Sequence, residues 1–283
     1  METTPRLHSA SQVIEVDIIG IGAWSDCFAD WPALRYGVQT GQWAEAVPLS
    51  PGLIPPRERR RAPQSVKMAV EVMSQACAMA CVQPSEPAVV FASAMGDMDI
   101  TDAMCRTLAD NPELVSPTRF HNSVHNAPIG YWSIATGSHA PATAVAGHDD
   151  SAALGLLEAG VQCAEEGVPV IYVCQEGVAP APLVAARPSK QALALALLLA
   201  PVQAHDRRGQ PLGLELVDGA ADFPLVPERI PLDFSGNPAG ALLPLFVALA
   251  GSGEMRPGRR TRWLPISAHT FLRVETQLGG TRW

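Results

Sequence analysis

Charge is scarce in this chain. Charged residues fill 17% of its 283 positions, and 28 acids against 20 bases leave a net charge of -8. A protein that must neutralise a phosphate backbone is built the other way, so nucleic acid is excluded as a general partner. Metal-type cysteine pairs are missing as well: the cysteines, at 27, 77, 81, 105, 163 and 174, form no Cys-x-x-Cys. Cys77 and Cys81 sit one helical turn apart in an apolar pattern, which predicts small buried hydrophobes in a reducing compartment. Long hydrophobic runs are absent too. Ala192 to Pro201 and Ala239 to Gly251 are the tempting stretches, and both fall short of the roughly 18 residues that span a bilayer. The opening METTPRLHSA has no basic segment followed by an apolar core, so no signal peptide is expected and a cytoplasmic location follows.

What the chain has is apolar material, 47% of its residues, enough for a substantial core. Val13 to Gly22 reads as a first strand closing in a Gly-rich turn. Its Gly20-x-Gly22 lacks the third glycine and the immediate helix of a dinucleotide site, so no such cofactor is expected. Residues 30 to 63 read as an irregular excursion ending in the basic run Arg57, Arg59, Arg60, Arg61. Helical spacing marks 64 to 82, and Ala88 to Ser93 reads as a buried strand followed by a turn and a helix. A helix over about Asn122 to Thr136, a short strand at Ala142 to Ala146, a helix from Asp150 to Glu166 and a strand from Val168 to Cys174 follow. Ala192 to Ala200 and Leu212 to Val217 are expected to pair with each other across the charged HDRRGQ turn.

This alternation, with near-continuous apolar strands, predicts a layered α/β domain around a mostly parallel sheet. The chain is read as one domain over 1–283. Residues 222–283 are weaker in pattern, with one helix at about Pro238 to Ala250 and a final strand or strand pair between Trp263 and Glu275.

The most informative stretch is 117 to 151, PTRFHNSVHNAPIGYWSIATGSHAPATAVAGHDDS. It resembles the segment of a β-ketoacyl synthase that leads into the catalytic cysteine, and IGIGAWS and the Arg-rich lead into the helix at 64 are similar to that family's elements. The resemblance covers roughly residues 13 to 218 and implies the thiolase-like fold, in its N-terminal half, with 222–283 as a reduced C-terminal remnant. No cysteine arrives at the nucleophile position. Counting forward from Pro141 lands on Asp149, counting back from Gly167 lands on Asp150, and the flanks allow His148; Ser151 follows. The second half that carries the family's two histidines and lysine is also missing. His205 and His269 lie beyond the first half, in no similar motif.

The resemblance therefore implies a chain-length factor of the type found in bacterial aryl polyene clusters, where it pairs with a full-length ketosynthase working on an acyl carrier protein. The HNAP at His125 to Pro128 carries that likeness. Phe120, His121, Asn122, His125 and Asn126 would approach the interface and the acyl tunnel, and Arg57, Arg59, Arg60 and Arg61 would dock the acidic carrier protein. Two other readings compete: a condensing or acyl-transfer enzyme with another nucleophile, and a homodimeric acyl or carrier-protein adaptor.

Blander roles stand beside each of these. His121 and His125, four apart, share a helix face without a third ligand, so structural or interface histidines are expected and no metal. His148, Asp149 and Ser151 have triad residue types, but neighbours along one turn converge poorly, and Ser151 has no Gly-x-Ser-x-Gly elbow. Asp149 and Asp150 are suited to capping the helix that follows. The arginine run doubles as a solvated turn.

Overall fold

The computed structural model describes residues 13–44, 48–203, 209–218, 230–251, 258–267 and 269–278. The opening decapeptide, His205 and most of the HDRRGQ turn lie outside them. One eight-stranded sheet, in the order β3-β2-β4-β5-β1-β6-β8-β7, organises the chain. Its strands are β1 (Ile14–Ser25), β2 (Ala88–Ala92), β3 (Ala142–Val145), β4 (Val170–Glu176), β5 (Leu193–Pro201), β6 (Gln210–Asp218), β7 (Gly258–Pro265) and β8 (Thr270–Leu278).

The alternation of strand and helix holds, but the sheet is not mostly parallel. Among the described strands only β2 with β3 and β2 with β4 run parallel; the other five pairings are antiparallel. The near-continuous apolar strands reflect burial on both faces by helices, and such burial is indifferent to strand direction. The expected pairing of β5 with β6 is also replaced. The first strand lies between them, bonding β5 over Val16 to Ser25 and β6 over Ile14 to Ile18.

Helices cover both faces. On one side lie α3 (Gln64–Ala80) and α6 (Ala127–Thr136); on the other lie α7 (Ser151–Glu166) and α8 (Leu243–Ala250). The alternation LALALLL in β5 sorts these layers: Leu193, Leu195, Leu197 and Leu199 join the core of the α7 side, while Ala194 and Ala196 face α3. Small residues there let α3 come close. At Gly22 an added Cβ would stand 1.9 Å from the Val72 carbonyl oxygen, and at Gly20 2.1 Å from that of Ala76.

The stretch from 30 to 63 is more regular than its Pro and Gly content suggests. Asp30 caps α1 (Trp31–Thr40) by accepting from the Ala33 N–H at 2.8 Å, and a short α2 (Pro56–Arg59) follows the prolines. The next helix, α4 (Met98–Asp110), is capped by Asp97. The helix expected over 122 to 136 is interrupted. A short α5 (Pro117–Asn122) ends before α6 begins, because the ring of Pro128 cannot sit against the carbonyl of residue 124 inside a continuous helix. The expected helix at 238 to 250 divides into a 3-10 turn, Pro238–Leu242, and α8, and the C-terminal pair is an antiparallel hairpin of β7 and β8.

Four cysteines, 27, 77, 163 and 174, are buried as expected, but Cys81 and Cys105 are exposed. Cys81 ends α3 in the left-handed conformation, which turns it out of the apolar face. No helix among the described residues is long and apolar enough to cross a membrane.

The contact of α3 with β1 can be tested directly. Gly22→Ala is expected to destabilise the protein by about 3 kcal/mol, since backbone must move to admit the methyl. Gly52→Ala, with open space around it, should leave the denaturation midpoint in place.

Candidate functional site

The parallel strands β3, β2 and β4 end side by side, with Ala92 opposite both Val145 and Cys174. The carboxyl ends of parallel strands are where clefts form in open α/β sheets. Here three segments meet: the loop Ser93 to Asp97, the turn 146–150 leading into α7, and Glu176 at the end of β4.

The turn is sharply bent. His148 takes a φ of 57°, a left-handed conformation uncommon for a bulky side chain and typical of functional turns. The buried Ser151 holds the bend, its hydroxyl donating to the His148 carbonyl at 2.6 Å and accepting from the Gly147 N–H at 2.9 Å. Since that hydroxyl is bound to main chain and not to the imidazole, no Ser-His-Asp relay is assembled.

Neither aspartate caps α7 as expected. Asp150 occupies the capping position without a side-chain bond, and partial burial, then the charge of Asp149, raises its pKa. Asp149 instead forms an ion pair with Arg187, whose other guanidinium nitrogen contacts Nδ1 of His148.

Beneath this pair lies Glu176, fully buried. Its carboxylate accepts from the Ser93 hydroxyl at 3.1 Å and from the Ala94 N–H, while Asn237 reaches its backbone carbonyl at 3.5 Å. Burial is the largest influence and raises its pKa to about 7; the Ala94, Ser93 and Met95 hydrogen bonds and the Arg187 charge oppose it. Its second oxygen has no hydrogen-bond partner among the described residues. Residue 176 was missed by sequence reasoning, although an acid closing the apolar run VIYVCQE was a readable signal. Arg187, in the loop after β4, gave none.

The sequence candidates divide. His125 comes to the site: its Nε2 lies 2.9 Å from the Ser93 carbonyl, and its ring packs edge-on against Phe91 at 5.4 Å. It sits in the break between α5 and α6, so the helical pairing with His121 is lost, and His121 is exposed on α5. Asn122 is buried and accepts from the Tyr131 hydroxyl at 3.2 Å. Phe120 and Asn126 face outward. No group of potential metal ligands gathers among the described residues, and His269 is exposed in the β7–β8 turn. Arg57, Arg60 and Arg61 are exposed, whereas Arg59 donates to the Ser50 and Pro51 carbonyls and fixes the loop before α2.

A cavity of about 350 Å³ opens beside the turn, lined by Asp149, Arg187, Phe234, Asn237, Pro238 and Pro265. It contains no thiol. The nearest cysteines in sequence are Cys163, buried in α7 with its pKa pushed up to about 12, and Cys174, inside β4 with its pKa also raised by burial. Neither forms the thiolate that nucleophilic chemistry needs.

The buried carboxyl carries a pH signature. With its folded pKa above the ordinary value, Glu176 retains a proton that the unfolded chain releases, so stability should fall as pH rises from about 4.5 to about 7 and then level. The loss is on the order of 3 kcal/mol. Glu176→Gln is expected to flatten this part of the stability profile and to melt above the parent protein at pH 8.

The fold has counterparts among known proteins. No curated protein matches the chain. A ketosynthase in complex with its chain length factor from Xenorhabdus doucetiae matches with a TM-score of 0.63 at 20% identity, over 92% of this chain and 98% of the other. The ishigamide ketosynthase/chain length factor matches at 0.67 and 15% identity, over 94% and 100%. A type II polyketide acyl-carrier protein complex with its ketosynthase bound to the hexaketide matches at 0.72 and 12% identity, over 93% and 99%. The fold is thus thiolase-like, and the profile of the β-ketoacyl synthase N-terminal domain matches residues 30–216, well over half of the chain. The chain belongs to the β-ketoacyl synthase N-terminal domain family.

Proposed function

We propose that this chain is a non-catalytic ketosynthase-like subunit, a chain-length factor. It would pair with a full-length β-ketoacyl-[acyl-carrier-protein] synthase in the cytoplasm and help set the length of polyketide or aryl polyene chains. The turn 147–151 carries this reading: it has the bend of a strand-to-helix active-site turn and holds no cysteine.

A ketosynthase moves an acyl group from a carrier thioester to a cysteine thiolate, which is both strongly nucleophilic and a workable leaving group. In place of that thiolate stand His148 and a carboxylate ion-paired with Arg187, while the Ser151 hydroxyl is engaged within the turn. An ion-paired carboxylate is a poor acyl acceptor. We assign residues 148–151 to the vacated nucleophile region, with His148 at its apex, and His125 to the wall of the cleft.

The partner is inferred from the surface. Strand β3 is an edge of the sheet with one paired side, and the segment leading into it exposes Phe120 by 65%, Val124 by 52% and Ile134 by 79%. A free edge and large exposed apolar side chains are the features that a partner chain covers. Two of the matched structures are ketosynthase and chain-length-factor assemblies, which suits a heterodimer. On this reading Arg57, Arg60 and Arg61 present a basic ridge to the acidic carrier protein, and Arg59 shapes it. The chain is then one thiolase-like unit, with 222–283 as a reduced counterpart of the second half.

Co-expression with a full-length ketosynthase tests the pairing. A one-to-one complex is expected, and Phe120→Asp with Ile134→Asp should abolish co-purification without shifting the melting temperature. An acyl-thioester probe should label the partner's cysteine and leave this chain unmodified; covalent acylation of this chain would overturn the non-catalytic reading.

A further inference from the structure

A second concave region lies away from the cleft, where α1 and α3 flank the far half of β1. Between Ile19 and Trp24 no described strand pairs with the first strand on its β6 side. The edge N–H groups are instead met by side chains of α3: the Ile21 N–H points at the Met79 sulfur at 3.3 Å, and the Ala23 N–H donates to Oε1 of Gln75 at 3.0 Å. A groove of about 640 Å³ opens there, with Ile21, Trp31, Pro32, Ala78 and Met79 supplying its apolar walls. That size falls within the range of small-molecule sites, which combine apolar walls with few polar groups.

Most polar groups of the groove are engaged within the chain. Asp30 is engaged in capping α1. The amide of Gln75 donates to the Ala29 carbonyl at 3.0 Å and to Glu71 at 3.2 Å, and that of Gln39 donates to the Ala250 carbonyl at 2.9 Å. The Tyr36 hydroxyl donates to Gln42 at 2.8 Å. Arg35, half-buried at the groove, has no ion pair or hydrogen bond among the described residues. Apolar walls with one unengaged guanidinium match a ligand with one anionic head and an apolar body. The planar fork of Arg suits a carboxylate in two-point contact.

We infer that this groove binds an amphipathic monocarboxylate, with its carboxylate on Arg35 and its hydrocarbon tail between α1 and α3 over Met79. Met79 is the residue suited to yield, since its unbranched thioether is adaptable and its sulfur is a weak acceptor for the Ile21 N–H. This site is independent of the cleft at 147–151 and does not rest on the proposed pairing.

Calorimetric titration of the full chain with dodecanoate, below its micellar concentration, tests the inference. Saturable one-to-one binding is expected. Arg35→Gln should weaken it about tenfold, the scale of one charge-assisted contact, while Arg35→Lys recovers part of the affinity. Dodecanol should bind the parent protein as weakly as dodecanoate binds the Gln variant. Ala78→Trp, a substitution at an exposed position that fills the groove, should abolish binding with little change in melting temperature. The inference is overturned by absence of saturable binding, by unchanged affinity in Arg35→Gln, or by dodecanoate binding that survives Ala78→Trp in a folded protein.

Discussion

Helix α3 can lie on β1 at backbone distance because Gly20 and Gly22 put no side chain between them. Much of the architecture depends on that approach. With α3 drawn in, the layer over that face of the sheet is thin, and β5 answers with alanines on the same side and leucines on the other. The first strand becomes an interior strand flanked by β5 and β6. Strand β4 takes its place beside β5, and β2 beside β4. The carboxyl ends of the parallel strands are thereby fixed relative to the turn that enters α7.

At that end a sharply bent turn is held from within. The left-handed His148 and the Ser151 hydroxyl maintain the bend, but the exposed carboxylate of Asp149 is bound by Arg187. Below it Glu176 joins the ends of β2 and β4, accepting from Ser93 and Ala94. Charge in a low-dielectric site survives only when partnered or protonated. Glu176 combines both routes, with partners on one oxygen and a carboxyl pKa raised by burial. The arrangement braces the turn, which suits the non-catalytic role proposed for the chain.

Much of this was legible beforehand. Element order followed from apolar periodicity, and the segment at 117–151 announced its family through Phe120, Asn122, Asn126 and the glycines and serines that follow. The absence of a thiol was equally plain. Strand direction was less so, because a strand buried on both faces has the same composition whether its neighbours run with it or against it. The break at 123–126 was readable in Pro128, whose effect on the preceding turn is local, yet the apolar spacing across it suggested one helix.

By itself the sequence determined the family and the absence of a cysteine from 147 to 151, since each depends on residue identity and short spacing. Tertiary structure decided the insertion of β1 between β5 and β6, the ion pair of Asp149 with Arg187, and the burial of Glu176 beneath it. Those partners lie from 38 to 83 residues apart in the cases of Arg187 with Asp149 and Ser93 with Glu176. No local pattern encodes such contacts, because they form only when strands distant in the chain end together at one edge of a common sheet.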